Sequence, residues 1–145
     1  MRSQTFCFTA VSSARCAGGR GAYRRPATLG RAAGDLPGVG FSLGMMAVAA
    51  LELGDNAEGV RVATEGQAAG RASATSWVQA PSLSCLAYVA MDEGDFDRAG
   101  QLHEEALELL RQRGEKWGMG IVLFDLALLR VVQQRHAQAR ALCAE

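Results

Sequence analysis

Residues 83–109 read LSCLAYVAMDEGDFDRAGQLHEEALEL, and the spacing inside this stretch decides the fold. Leu83, Leu86, Ala87 and Ala90 recur at the helical interval on one face, as do Leu102, Ala106 and Leu109 in the segment that follows. Gly94 between them stops the first helix, and Asp95 or Asp97 caps the start of the second. The stretch is a helical hairpin. Ala87 facing Ala99 and Ala106 lets two antiparallel helices approach closely, while Leu and Met fill the space around the contact.

Sliding the sequence by forty residues aligns the chain from about Pro37 to its end without a gap. Leu43, Leu83 and Leu123 fall into register, as do Met46, Leu86 and Leu126, and Ala47, Ala87 and Ala127. Matching leucines prove little in a chain that is 49% apolar. Harder to obtain by chance are Gly54-Asp55 with Gly94-Asp95, Trp77 with Trp117, and Glu65, Glu105 and Glu145 in the same shift.

These residues resemble a tetratricopeptide repeat: Leu83-x-x-Leu86-Ala87-x-x-Ala90, then Gly94-Asp95-Phe96-Asp97-x-Ala99, then Glu104-Glu105-Ala106-Leu107-Glu108-Leu109. Arg111 to Trp117 resembles the longer inter-repeat joint of the roughly forty-residue bacterial variant. The resemblance covers Pro37 to Glu145 and implies an all-α fold, a helical-hairpin solenoid whose antiparallel helix pairs stack into a right-handed superhelix. The repeats are expected at 37–76, 77–116 and 117–145, the last one truncated. Three departures stand out. Gly59 and Gly66 replace alanine in the first unit, Arg130 and Gln134-Arg135 replace the small residue and the Gly-Asp turn in the third, and no proline ends the second helix. Each interior glycine costs about 0.5–1 kcal/mol relative to alanine, which predicts a looser first hairpin. Pro81 predicts a late start or a small kink in the first helix of the second unit. An uncovered third hairpin leads us to expect a fragment of a longer array, with self-association through its uncapped C-terminal end.

Charge divides the chain. Fifteen basic residues balance fifteen acidic ones overall, but residues 1–35 carry six Arg against Asp35 alone. Without a clear helical or strand period, residues 1–36 read as a disordered basic leader, with a basic arm or a transit-type peptide as alternatives. The repeats themselves carry no net positive charge that would favour nucleic acid, and no apolar run is long enough to span a membrane.

Catalytic chemistry finds no residue set. Lys116, the only lysine, follows Glu115 and closes no Walker A loop. Cys7, Cys16, Cys85 and Cys143 form no C-x-x-C pair, so thiols in a reducing compartment are expected. His103 has Leu107 one turn on and no ligand pair, which makes it a core residue and not a metal ligand. The calcium-like start at Asp95-x-Asp97 lacks its third acidic residue, where Ala99 stands, and its bidentate glutamate, where Ala106 stands. No enzyme activity, cofactor or metal is expected.

What remains is surface. By the resemblance, the first helix of each hairpin lines a concave groove, at Phe41, Met45, Val48 and Leu51; at Cys85, Tyr88, Met91 and Asp92; and at Phe124, Asp125, Leu128, Val131 and Val132. That lining is mostly apolar, which points to a protein or peptide partner anchored on Tyr88 and Phe124. The resemblance implies a non-catalytic, cytoplasmic interaction module from a large bacterial signal-transduction ATPase or LuxR-type transcriptional regulator. The alternative is a small-molecule effector-sensing domain of such a regulator, with the groove closing as a pocket.

Overall fold

A computed structural model describes residues 20–73 and 75–145, and among these every regular element is helical. The order is α1 (Arg20–Ala33), α2 (Leu36–Glu52), α3 (Asn56–Ala72), a 3₁₀ turn (Ser76–Gln79) running into α4 (Ala80–Asp92), α5 (Phe96–Arg113), α6 (Lys116–Val132) and α7 (His136–Cys143). Expectations placed on residues 1–19 lie outside the described residues. No described helix is long and apolar enough to cross a membrane.

The forty-residue period is visible in the backbone. α2 spans 36–52, the 3₁₀ turn plus α4 spans 76–92, and α6 spans 116–132. Reversals follow the same register. Gly54 and Gly94 take φ of 79° and 80°, Gln134 takes 59° at the equivalent place, and Gly34 and Gly114 both take 72°. Caps recur with them, since Asp55 and Asp95 accept from Glu58 N and Arg98 N at 3.2 and 3.1 Å. Asp35 and Glu115 do the same for Gly38 N and Gly118 N at 3.0 and 2.5 Å. Pro81 sits in the first turn of α4, where its missing N–H costs nothing.

Each helix packs on the next, α2 on α3, α4 on α5 and α6 on α7, while α4 lies on both α2 and α3. Leu83, Leu126 and Leu129 are fully buried in these contacts, each contributing about 1.5–3 kcal/mol of apolar burial.

Three expectations are corrected. Residues 1–36 are not a disordered leader throughout, because 20–33 form α1, whose Ala27 is buried in one cluster with Val39, Leu43 and Met46 of α2. α1 occupies the register of α3 and α5, as Gly30-Arg31-Ala32 matches Gly70-Arg71-Ala72. The expected long joint over 111–117 is short, since α5 runs to Arg113, Gly114 turns left-handed, and α6 begins at Lys116. Gly59 and Gly66 do not loosen the first hairpin. A Cβ on Gly66 would stand 3.1 Å from Leu43 Cβ and 3.2 Å from Gly44 N, so its absence is what lets α3 meet α2.

Candidate functional site

The interface between successive first helices is built by one recurring stripe. On α2 it comprises Phe41, Gly44, Val48 and Leu51, and α4 covers it. A Cβ on Gly44 would lie 2.8 Å from Pro81 Cβ and 3.0 Å from Ser82 N, so only glycine permits this approach. Phe41 meets Trp77 with ring centroids 5.7 Å apart, and the Arg113 guanidinium lies 5.8 Å above the same indole. Val48 shares a cluster with Ala63 of α3 and Cys85 of α4, whose thiol donates to Gly59 O at 3.6 Å.

Forty residues on, that apolar trio becomes polar. Val48, Ala63 and Cys85 are replaced in register by Tyr88, His103 and Asp125. The Tyr88 hydroxyl donates to Asp125 Oδ2 at 2.5 Å across α4 and α6, and His103 packs edge-on against the Tyr88 ring, centroids 5.5 Å apart. All three are buried. Asp125 Oδ1 and both ring nitrogens of His103 find no hydrogen-bond partner among protein groups. Burial pushes the Asp125 carboxyl up to about 7, opposed by the Tyr88 hydrogen bond, and the same desolvation pushes His103 down to about 4. α4 and α6 touch much less than α2 and α4 do, because Ala80 and Ser84 stand where α2 has Gly40 and Gly44.

The thirteen positions assigned to a groove therefore do not form one open surface. Val48, Cys85, Tyr88 and Asp125 are buried inside the two junctions, so they cannot line a groove. Phe41, Met45, Leu51, Met91 and Leu128 are half-buried, while Asp92, Phe124, Val131 and Val132 are exposed. The polar trio escaped notice in the sequence because its members lie 15 and 22 residues apart. Following the register column by column would have found it, since all three columns are apolar one unit earlier.

On α6 the stripe is uncovered. Trp117 is 63% exposed, Phe124 44% and Val131 47%, with half-buried Ile121 and Leu128 between them on the same helix face. Gly120, in register with the crowded Gly40, has nothing within 4 Å of its Cβ position. Val132 adds to the edge at 42% exposure.

On the opposite side of the helix pairs lie two clefts related by eighty residues. One, of about 480 Å³, is lined by Glu104, Leu107, Arg111, Leu126, Arg130, Arg135, Gln138, Ala141 and Leu142. The other, of about 240 Å³, includes Arg24, Ala27, Arg31, Met46, Glu58, Arg61 and Val62, the counterparts of seven of those nine. None of the groove positions lines either cleft. Ion pairs cross both, Arg130 with Glu104 and Arg111 with Glu145 at one and Arg31 with Glu65 at the other, where Arg61 also pairs with Glu58 one turn away along α3. Among the described residues no group of three or more His, Cys, Asp or Glu is placed to hold a metal ion.

Comparison of the chain with family models, curated proteins and solved structures finds no match.

Proposed function

We propose that the chain is a non-catalytic interaction module, a helical-hairpin array of the tetratricopeptide kind that docks an α-helix of another protein on the outer face of α6. One observation carries the reading. The face bearing Trp117, Phe124, Leu128 and Val131 is the surface that, on α2, is already covered by the next first helix in the chain. The established α2–α4 contact also defines the occupant's chemistry: α4 presents the small residues Pro81, Ser82 and Cys85 to α2, so a helix with small side chains at that spacing fits α6. A row of exposed aromatic and branched side chains this long is expensive to leave in water. The resemblance further suggests a cytoplasmic bacterial signalling or transcriptional regulator as the setting.

The test is a stapled helical peptide carrying residues 76–92, titrated into the full chain and followed by NMR. Shifts confined to Phe124, Leu128 and Val131, lost in a Phe124→Asp/Val131→Asp double variant, support the reading. Saturation without shifts on α6, or binding undiminished by the double variant, overturns it.

A second reading, an effector-sensing array, draws on the cleft of about 480 Å³, where Arg111, Arg130 and Arg135 rim an apolar floor of Leu107, Leu126 and Leu142. Calorimetry with medium-chain carboxylates, against an Arg130→Gln control, separates it from the first.

A further inference from the structure

The two junctions of the array are built on one register and differ in chemistry. Where the first holds Val48, Ala63 and Cys85 in a continuous apolar cluster, the second holds Tyr88, His103 and Asp125. Replacing a closely packed apolar joint with a buried acid is costly unless the acid stays neutral or gains water. The contact between α4 and α6 is also thinner than that between α2 and α4, and a hydrogen bond from Tyr88 to Asp125 crosses it.

We propose that this junction is a proton-sensitive joint: protonated Asp125 helps keep the α6–α7 pair docked on the α4–α5 hairpin, where α6 also packs on Ala106, Leu107 and Leu110 of α5, and its ionisation favours release of the pair. A carboxylate at this site has Tyr88 for one oxygen and no protein donor for Oδ1. Detaching α6 hydrates it.

The groups around the acid do not offset its charge. From α4 the facing titratable group is Tyr88, and from α5 it is His103, which is held neutral by the same burial. Glu104 of α5 and Arg130 of α6 pair with each other on the cleft side, where Arg111 and Arg135 also lie. On α7 the titratable groups His136, Arg140 and Cys143 are all exposed. Burial dominates the shift of Asp125, with no contribution from a neighbouring charge. His103 lies within the α4–α5 hairpin, edge-on to Tyr88, and in the proposed opening it stays with that hairpin, so the pH response is that of Asp125.

The sign follows from linkage. The detached state ionises near the ordinary carboxylate value of 3.8 and the docked state near 7, so opening becomes easier as pH rises between those values and levels off above them. Detached, helices of 17 and 8 residues are marginal on their own and exchange their amides.

Hydrogen exchange of the full chain, corrected for intrinsic rates, tests this at pH 5 and 7.5. Protection of residues 116–143 is expected to fall about a hundredfold while that of 36–72 holds, at roughly tenfold per pH unit up to neutrality. Asp125→Asn, and the triple variant Tyr88→Val/His103→Ala/Asp125→Cys that copies the first junction, are expected to lose this dependence. Constant protection of α6 and α7 in the unaltered chain, or the same slope in the Asn variant, overturns the proposal. Should both variants fail to fold, the Asp125 carboxyl carbon in the unaltered chain decides by NMR: a midpoint near 7 supports the joint and one near 4 removes it.

Discussion

Arg31 of α1 ion-pairs with Glu65 of α3. Eighty residues later Arg111 of α5 makes the same pair with Glu145, so α1 stands in the register of α5. The pair marks the register without contributing much, because both partners are about half exposed and such pairs are worth roughly 0–1 kcal/mol. The attachment rests instead on Ala27, which is 1% exposed. Arg31→Ala is expected to change the urea unfolding free energy by less than about 0.5 kcal/mol. Ala27→Arg is expected to cost about 3 kcal/mol or more and to free α1, seen as lost amide protection over residues 24–33.

Close approach at the first junction makes a sharper test, since glycines on the equivalent helices α2 and α6 meet opposite surroundings. Gly44→Ala places a Cβ against the backbone of Ser82 and the ring of Pro81, and is expected to cost about 1–3 kcal/mol. Gly120→Ala adds a Cβ where nothing lies within 4 Å, and removes an interior helical glycine. It is expected to stabilise by about 0.5–1 kcal/mol in the same denaturation assay. Equal effects at the two sites would show that α4 does not lie on α2 as described.

The forty-residue spacing of helices and turns was legible because it is carried by local chemistry. Gly54, Gly94, Asp55 and Asp95 punctuate the chain regardless of what packs around them. α1 was missed because the Arg-rich composition of residues 1–36 suggested disorder, although Gly34-Asp35 answers Gly114-Glu115 at twice the forty-residue shift. Exposure was not legible at all. Tyr88 and Phe124 look alike as apolar-face aromatics, yet one is buried by the following helix and the other has none over it. Tyr88→Ala therefore probes folding and not partner binding.

Gln134 is the non-glycine residue with positive φ among the described residues, at 59°, where Gly54 and Gly94 stand in the earlier hairpins. A side chain in that conformation costs roughly 1–2 kcal/mol. Gln134→Gly is expected to recover about 1 kcal/mol, measured as a higher urea midpoint with an unchanged m-value. An unchanged midpoint would mean that the α6–α7 turn relaxes to another conformation.

His103 and Asp125 act on the pH dependence of global stability with opposite signs. Asp125, raised from 3.8 to about 7, binds more protons folded than unfolded, so its contribution falls as pH rises between those values. His103, lowered from 6.5 to about 4, binds fewer protons when folded, so its contribution rises with pH across that window. From pH 4 to 6.5 the two slopes oppose each other at about 1.4 kcal/mol per unit each, and the unaltered chain is expected to be nearly flat there. Removing one group unmasks the other. Asp125→Asn is expected to gain stability with rising pH up to about 6.5, and His103→Phe to lose it up to about 7, both read from urea unfolding at half-unit steps. Parallel profiles for the two variants would rule out opposing titrations within this trio.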